Sequence, residues 1–301
     1  MLKKRQISAG TKYFLIAIPF MVFIIAMAYV PIFGWLYAFT DFKTGRYFTD
    51  FTFVGFKSFA KIFQHSSEVL RVLRNTLVMS GLGLLSSPLP VITAIFLNEF
   101  KSKKFKSFVQ TTTTLPNFIS WIVVFGIAFS FFSNGGLLNS FLGWLGLPQS
   151  PTGLMGDANL VWFFQLGLQI WKGLGWSTII YLAAITSIDE QLYEAAQIDG
   201  ANKLRLIWHI TVPGIAPTYF VLFILGVSSI LSSGFDQYFM FRNPLVADKI
   251  EVLDYFVYKI GILSGDYPFS IAIGITKTLI SITLLFTVNR LSKRVRGQSI
   301  F

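Results

Sequence analysis

The chain has no cysteine and little charge. None of its 301 residues is cysteine, which excludes disulfides, thiol nucleophiles and thiolate metal ligands. Asp, Glu, Lys and Arg make up 13% of the residues, whereas a soluble domain carries roughly 25%. The charge is missing from long apolar runs, and the mean hydropathy is +0.63. The composition therefore indicates a polytopic membrane protein.

Two further absences limit the chemistry of the chain. Its two histidines, His65 and His209, lie far apart and have no acidic cluster beside them, so no metal site is expected. The dipeptide Gly-Lys does not occur, so the sequence holds no G-x-x-x-x-G-K-[ST] phosphate loop. It also offers no Ser-His-Asp set and no carboxylate pair in a suitable context. We therefore expect no enzyme, no catalytic residue and no cofactor bound by this chain.

Six apolar segments are each about long enough to cross a bilayer, which takes roughly 20 residues. They cover residues 13–39, 70–97, 107–132, 160–186, 213–233 and 268–289. Pro88 and Pro90 predict a kink in the second segment. The first segment follows basic residues, as in a signal peptide, but its apolar run is too long for one, so we expect an uncleaved span. The fold prediction is an all-α membrane protein with six transmembrane helices.

Lys and Arg collect on one face of this predicted topology. Fourteen of the 25 cations lie in the short segments that six spans place on one side. They are Lys3, Lys4, Arg5, Lys12, Lys101, Lys103, Lys104, Lys106, Lys203, Arg205, Arg290, Lys293, Arg294 and Arg296. The same segments hold five of the 14 acids, and the positive-inside rule makes this face cytoplasmic. The net charge of +11 thus reflects topology rather than nucleic-acid binding.

This topology divides the chain into three parts. We predict a cytoplasmic N-terminus at 1–12, a six-helix membrane domain at 13–290 and a basic cytoplasmic C-terminus at 291–301. The outer segment 234–267 carries apolar residues at spacings typical of one helical face. These residues are Ile250, Leu253, Val257 and Ile260. They predict an amphipathic helix that lies along the outer membrane surface or covers a pore mouth.

The segment 187–213, between the fourth and fifth spans, is polar and compact. Ser187 and Glu190 fit a capping box at the start of a helix, and Gly200 is a natural helix stop. A second short helix is predicted to follow, and Pro213 opens the fifth span. Small residues on the first helix suit docking into a groove of another protein. The alternative is a cytoplasmic loop folded against the membrane surface.

The spacing within this segment resembles the EAA motif of ABC importer permeases. Glu194-Ala195-Ala196 is followed after three residues by Gly200 and, after nine more, by Ile210-Thr211-Val212-Pro213. The family pattern ends I-x-L-P, so Val212 is the one departure. Other stretches resemble the MalF/UgpA branch of sugar permeases and its LplB-type subgroup, associated with complex oligosaccharides. They are FVGFKSFAKIF, TLPNFIS, IWKGLGWSTIIYLAAI, GFDQYFMFRNPLV and DYFVYKIGILSGDYPFSIAIG.

The resemblance implies a type I ABC importer permease with a MetI-like fold. In that family the motif forms a coupling helix that docks on a cytoplasmic ATPase. Carried over, Glu194 contacts the ATPase, Ala195 and Ala196 permit close approach, Gly200 forms the turn and Pro213 ends the motif. The implied partners are a second permease, two ATPase subunits that bind ATP and Mg, and an extracytoplasmic binding protein.

The implied function is import of an oligosaccharide across the bacterial cytoplasmic membrane, with both termini in the cytoplasm. Acidic, uronate-containing sugars are among the candidates, since the spans and outer segments contain cations. A secondary transporter or channel that works without ATP is the alternative. Such proteins often show inverted repeats, and the sequence has no convincing internal repeat.

A charge inside a span is a functional candidate by default, and Lys172 lies in the fourth span. Nearby aromatic and amide side chains could stack on sugar rings and bond their hydroxyls. The candidates for the substrate pathway are Gln169, Trp171, Lys172, Trp176, Asp236 and Gln237. Alternatively, Lys172 reaches the interface or pairs with a carboxylate such as Asp236, the tryptophans anchor at the interface, and the last two candidates cap a helix.

Overall fold

The computed structural model describes residues 9–43, 45 and 51–296. These residues are helical apart from connecting segments, and an isolated antiparallel bridge joins Thr40 to Phe53. The all-α prediction is therefore confirmed for the part of the chain that the structure describes.

The structure describes part of each predicted cytoplasmic end. Residues 1–8 and 297–301, which belong to those ends, lie outside the described residues. The domain limits 1–12, 13–290 and 291–301 therefore stay predictions.

The described residues form sixteen α-helices, joined in places by π and 3-10 turns. The α-helices are α1 Ala9–Ile24, α2 Lys57–Gln64, α3 Ser66–Leu85, α4 Pro88–Glu99, α5 Lys103–Thr114, α6 Trp121–Phe132, α7 Leu137–Trp144, α8 Gly153–Gly156, α9 Val161–Thr186, α10 Glu190–Ile198, α11 Lys203–Leu206, α12 Val212–Ser228, α13 Asp236–Met240, α14 Ala247–Ile250, α15 Leu253–Tyr258 and α16 Tyr267–Arg296. The π turns are Ile25–Tyr29, Ile207–Thr211 and Lys259–Leu263, and the 3-10 turns are Val30–Phe39, Leu115–Phe118 and Pro244–Val246.

Five helical segments are long and apolar enough to cross a membrane by length and composition. They are Tyr13–Phe39, Ser66–Glu99, Trp121–Trp144, Lys203–Ser228 and Tyr267–Arg294. The predicted fourth span forms α9, whose 26 residues span about 39 Å at 1.5 Å per residue. Its mean hydropathy is lower because Gln165, Gln169 and Lys172 interrupt the apolar residues. The length of α9 still exceeds the roughly 30 Å of a bilayer core.

Two of the predicted spans are interrupted helices. The second breaks at Ser86 and Ser87, directly before Pro88, as the prolines predicted. The third was expected to be one helix over 107–132, and this prediction is wrong. In the structure α5 ends at Thr114, a 3-10 turn follows, and α6 begins at Trp121, because Pro116 in that turn has no N–H to continue the helix.

The chain divides into two compact units. One comprises the described residues up to Ser66 with Val257–Thr276, and the other comprises Ser67–Phe256 with the described residues from Lys277 onward. The first unit has a small buried core of Ala38, Ala272 and Ile275. In the second unit, α9 packs against α4, α5 and α12. The buried residues there include Ala94, Leu97, Tyr181, Leu182, Ile185 and Ile215.

The helix predicted over residues 250–260 is interrupted after Ile250, while Leu253, Val257 and Ile260 lie on α15 and the π turn that follows it. Helix α14 ends at Ile250, and α15 begins at Leu253. Glu251, in the break, is 5% exposed and accepts a 2.7 Å bond from Arg71 of α3. The buried Asn75 side chain donates to the backbone carbonyls of Asp248 and Glu251. Polar bonds therefore hold the break between α14 and α15 against α3.

Close packing of α9 against α5 depends on Gly175. A Cβ atom on this residue would lie 2.2 Å from the carbonyl oxygen of Thr113. We expect Gly175→Ala to lower the thermal unfolding midpoint of the purified protein, because overpacking against backbone typically costs about 1–3 kcal/mol. Gly167→Ala on the same helix is the matched control, since its Cβ meets nothing within 4 Å. Equal midpoints for the two variants would contradict this account of the packing.

Candidate functional site

A cavity lined by both apolar and polar side chains lies among α3, α4, α9, α12 and the segment 229–238. Its volume is about 440 Å³, within the range of about 300–1,000 Å³ typical of small-molecule sites. The polar side chains that line it are Ser80, Ser86, Ser87, Gln169, Ser177, Tyr181, Tyr219, Ser229, Ser232, Ser233 and Tyr238. None of the described residues that line the cavity is charged.

Paired hydroxyl groups join the walls of the cavity. The Oγ atoms of Ser80 and Ser233 lie 2.9 Å apart, and Ser233 also donates to the carbonyl oxygen of Thr76. The Oγ atom of Ser87 lies 3.0 Å from the phenolic oxygen of Tyr219. These pairs connect α3 to the segment after α12, and the break between α3 and α4 to α12. Because a hydroxyl can both donate and accept a hydrogen bond, the two members of each pair bond to each other and can also bond to a ligand.

Gln169 is the predicted pathway residue that the structure places in this cavity. Its amide nitrogen would lie 3.6 Å from a Cβ atom on Gly83, so the small residue on α3 leaves room for the amide. Tyr238 is buried and also lines the cavity. Burial raises the pKa of its phenol, so the group stays neutral and keeps its O–H donor.

Lys172 does not line the cavity. Its Nζ atom donates to the carbonyl oxygens of Pro116, Asn117 and Ile119 at 3.2, 2.7 and 2.6 Å. It also lies 5.6 Å from the ring centroid of Trp121. The lysine therefore binds the backbone at the break between α5 and α6, whereas the sequence suggested a carboxylate partner such as Asp236. Its place in the substrate pathway stays a prediction.

The other pathway candidates also lie outside the residues that line the cavity. Trp171 and Trp176 are exposed on α9, and Trp176 packs edge-on to Phe118. Asp236 is exposed in the first turn of α13. Gln237 is buried and donates to the carbonyl and side-chain oxygens of Gln165 at 2.9 and 2.8 Å. The structure thus brings one of the six predicted residues, Gln169, to the cavity.

The sequence offered weak signals for the residues that were missed. Serines flank the proline-induced break at Ser86 and Ser87, and further serines end α12 in the stretch SSILSSG. Such polar residues at helix interruptions can line a cavity, since irregular membrane backbone is tolerated where it faces water or protein. Their convergence on one volume could not be read from the sequence.

The second candidate site is the exposed segment between α9 and α12. Helix α10 begins at Glu190, and the Asp189 side chain accepts from the N–H of Gln191 at 3.0 Å. The predicted capping box with Ser187 is therefore wrong. Ser187 instead ends α9, where its hydroxyl donates to the carbonyl of Ala184, because α9 continues to Thr186.

Gly200 stops α10 as the sequence predicted. Its φ angle is +78°, a conformation that glycine adopts without strain. Its N–H donates to the carbonyl of Gln197, and the N–H of Ala201 donates to the carbonyl of Ala196 at 2.9 Å. This pair of bonds is a Schellman motif, which reverses the chain between α10 and α11.

Helix α10 presents small and apolar residues to its surroundings. Glu194 and Ala195 are exposed, Ala196 is half-buried, and Ile198 is 87% exposed. The segment is fixed to the membrane helices by a 3.0 Å bond between the hydroxyls of Tyr193 and Thr211. A helix that exposes such residues on a fixed support can bind another protein.

Pro213 lies at the base of this segment. It opens α12 and lines an apolar groove of about 1000 Å³ between α4 and α11–α12, together with Trp208. The ion pair of Lys203 with Glu99, at 3.1 Å, also links this segment to the end of α4.

Comparisons with known proteins relate this chain to membrane transport components. The family model described as the binding-protein-dependent transport system inner membrane component matches residues 86–297. Protein LplB of Bacillus subtilis strain 168 is 36% identical over 292 residues, which cover 96% of this chain and 90% of LplB. The polygalacturonan/rhamnogalacturonan transport system permease protein YteP of the same strain is also 36% identical, over 96% of this chain and 89% of YteP.

A solved structure shares the architecture. It is the crystal structure of a bacterial alginate ABC transporter in complex with an alginate pentasaccharide-bound periplasmic protein. One of its chains matches with a TM-score of 0.86 and 31% identity, over 96% of this chain and 96% of that chain.

Proposed function

This chain belongs to the family of binding-protein-dependent transport system inner membrane components, and we propose that it carries an acidic oligosaccharide through its hydroxyl-lined cavity. Glu194–Pro213 resembles ABC importer permeases, and further stretches such as TLPNFIS resemble sugar permeases; both resemblances are confirmed by the sugar-permease relatives. The chain is a permease subunit of an ABC importer for oligosaccharides and lies in a membrane. Its relatives support this reading over a secondary transporter or channel.

The hydroxyl lining of the cavity is the observation that carries the assignment of the site. A sugar presents many hydroxyl groups, each of which can donate and accept a hydrogen bond. Serine and tyrosine hydroxyls and the Gln169 amide offer both functions. They lie on α3, α9 and α12, at the break between α3 and α4, and in the segment after α12.

The acidic character of the substrate is supported by the relatives. The names of YteP and of the solved transporter specify polygalacturonan/rhamnogalacturonan and alginate, which are polymers of or containing uronic acids. We infer that the substrate of this chain also contains uronate residues.

The energy for transport comes from other chains. This sequence has no P-loop, so ATP and Mg would be bound by two cytoplasmic ATPase subunits, and this chain would hydrolyse no ATP. One ATPase would bind the segment at Glu194, Ala195, Ala196 and Gly200. Pro213 would transmit the movement of the ATPase to α12. A second permease and an extracytoplasmic binding protein complete the proposed importer, with both termini of this chain in the cytoplasm.

The proposed function is tested by reconstituting the complete importer in proteoliposomes. The complex is purified through this chain from gently solubilised membranes, and its co-purifying subunits are quantified. ATP-dependent uptake of oligogalacturonates and alginate oligosaccharides is then measured with the binding protein outside. Purification of this chain alone, or uptake that does not need ATP, would contradict the proposal.

Gln169→Ala should weaken substrate handling in the cavity. One lost hydrogen bond is worth about 0.5–1.5 kcal/mol, so the substrate concentration for half-maximal uptake should rise roughly threefold to tenfold. Trp171→Ala is the control on the same helix, since Trp171 does not line the cavity. If Gln169→Ala left the uptake kinetics unchanged and Trp171→Ala reduced uptake, the substrate pathway would lie on the other face of α9.

A further inference from the structure

We propose that this chain recognises the ring hydroxyls of its substrate and not the carboxylates, so that its half of the pathway does not select for acid groups. The inference rests on the proposed function and concerns the chemistry of the same cavity. It predicts that acidic and neutral sugars are distinguished before the substrate reaches the cavity of this chain.

The first support is the uncharged lining. About 440 Å³ of space is surrounded by serine, tyrosine, glutamine, glycine and apolar side chains. A carboxylate moved against such walls would lose water without gaining a cation, which costs several kcal/mol. A carboxylate is therefore expected to keep its water and to face the open side of the cavity, while the sugar ring and its hydroxyls meet the walls.

The second support is that two lysines of the predicted spans, Lys172 and Lys277, already bind partners elsewhere in the chain. The ammonium of Lys172 lies on three backbone carbonyls at the break of the third span. The ammonium of Lys277 forms an ion pair with Asp254. Moving either lysine to a substrate carboxylate would leave its present partners without their donor, and this opposes such a movement.

The third support is the arrangement of the hydroxyl pairs. Ser80 with Ser233, and Ser87 with Tyr219, bond to each other across the walls. A sugar hydroxyl that enters between the members of a pair can accept from one and donate to the other. The exchange conserves the number of hydrogen bonds and needs no charge. Weak, exchangeable bonds of this kind also let the sugar leave on the other side.

The test compares each acidic oligosaccharide with its own neutral counterpart. Trigalacturonate and an alginate trisaccharide are converted by carboxyl reduction to neutral trisaccharides of the same linkage. Binding of each sugar to the binding protein is measured first, so that every uptake assay is run with that protein saturated. The maximal rate of ATP-dependent uptake by the complete importer is then compared within each pair.

The expected result is that the transported acid and its neutral counterpart have maximal rates within about twofold of each other, since no charge pairing is lost on reduction. An acid transported more than about tenfold faster than its saturating neutral form would overturn the inference, because one lost charge pair exceeds that factor. Uptake of neither member of either pair would overturn the proposed function itself, and the inference with it.

A pair of variants tests the role of the hydroxyls separately. Ser80→Ala should slow uptake of the acid and of its neutral counterpart by the same factor, because it removes a hydroxyl that both sugars use. Ser130→Ala is the matched control, since that serine bonds within its own helix and does not line the cavity. If Ser80→Ala slowed uptake of the acid alone, the cavity would recognise the carboxylates, contrary to the proposal.

Discussion

Gly200→Val is expected to reduce ATP-dependent uptake by roughly tenfold or more, while the purified permease keeps its thermal stability. Gly200 has a φ of +78°, and holding a non-glycine residue in such a conformation costs about 1–3 kcal/mol. Valine is branched at Cβ and tolerates this region poorly. The strain would be relieved by changing the turn, which moves α10 away from the position that its Schellman motif defines. The measurements are uptake in proteoliposomes and the amount of ATPase that co-purifies.

The turn can be separated from simple bulk with a second substitution at the same position. Asparagine adopts positive φ more easily than other residues, so Gly200→Asn should retain most of the uptake. A Cβ on Gly200 meets nothing within 4 Å, so neither variant clashes within the chain. Equal loss in both variants would indicate that the ATPase contacts Gly200 directly. Wild-type uptake in Gly200→Val would contradict a coupling role for the segment.

Lys172→Met is expected to lower the stability of the folded permease by about 3 kcal/mol, since hydrogen bonds to a charged group contribute about 1.5–3 kcal/mol. Methionine has a similar length but no donor, so the carbonyls of Pro116, Asn117 and Ile119 would lose the ammonium that now binds all three. In an apolar environment these carbonyls have little water to replace it. The thermal unfolding midpoint of the purified protein in one detergent measures the loss.

Transport kinetics distinguish this structural role from a place in the pathway. If Lys172 holds the break between α5 and α6, the folded fraction of Lys172→Met should show an unchanged substrate concentration for half-maximal uptake. The neighbouring Trp171→Phe should change neither stability nor kinetics, which controls for disturbance of α9. A variant of normal stability whose half-maximal concentration rises would restore the lysine to the substrate pathway.

Features that depend on residues close together in the sequence were predicted correctly. Long apolar runs predicted the spans, because a helix of about 20 apolar residues is the simplest way to cross a bilayer. Pro88 predicted the break in the second span, and Gly200 predicted the end of α10. The spacing from Glu194 to Pro213 identified the family. Each of these signals acts within a few turns of helix.

The wrong predictions arose where the sequence was compatible with more than one local structure. Ser187 and Asp189 can both cap a helix, and the continuation of α9 to Thr186 left Asp189 as the cap. Pro116 carried a signal for the break in the third span, but membrane helices tolerate proline, so one continuous helix was predicted. In the outer segment, periodicity predicted one helix, and the bonds of Arg71 and Asn75 to residues 248 and 251 favour a break instead.

The sequence by itself determined the class of protein, its apolar spans and the segment that identifies its family, because composition, periodicity and spacing are local properties. The tertiary structure alone decided which polar side chains meet. Lys172 binds carbonyls more than fifty residues away in the sequence, and Ser80 meets Ser233 across 153 residues. A hydrogen bond depends on a distance of about 3 Å and on direction. That distance is set by how the helices pack, and no spacing along the chain encodes it directly.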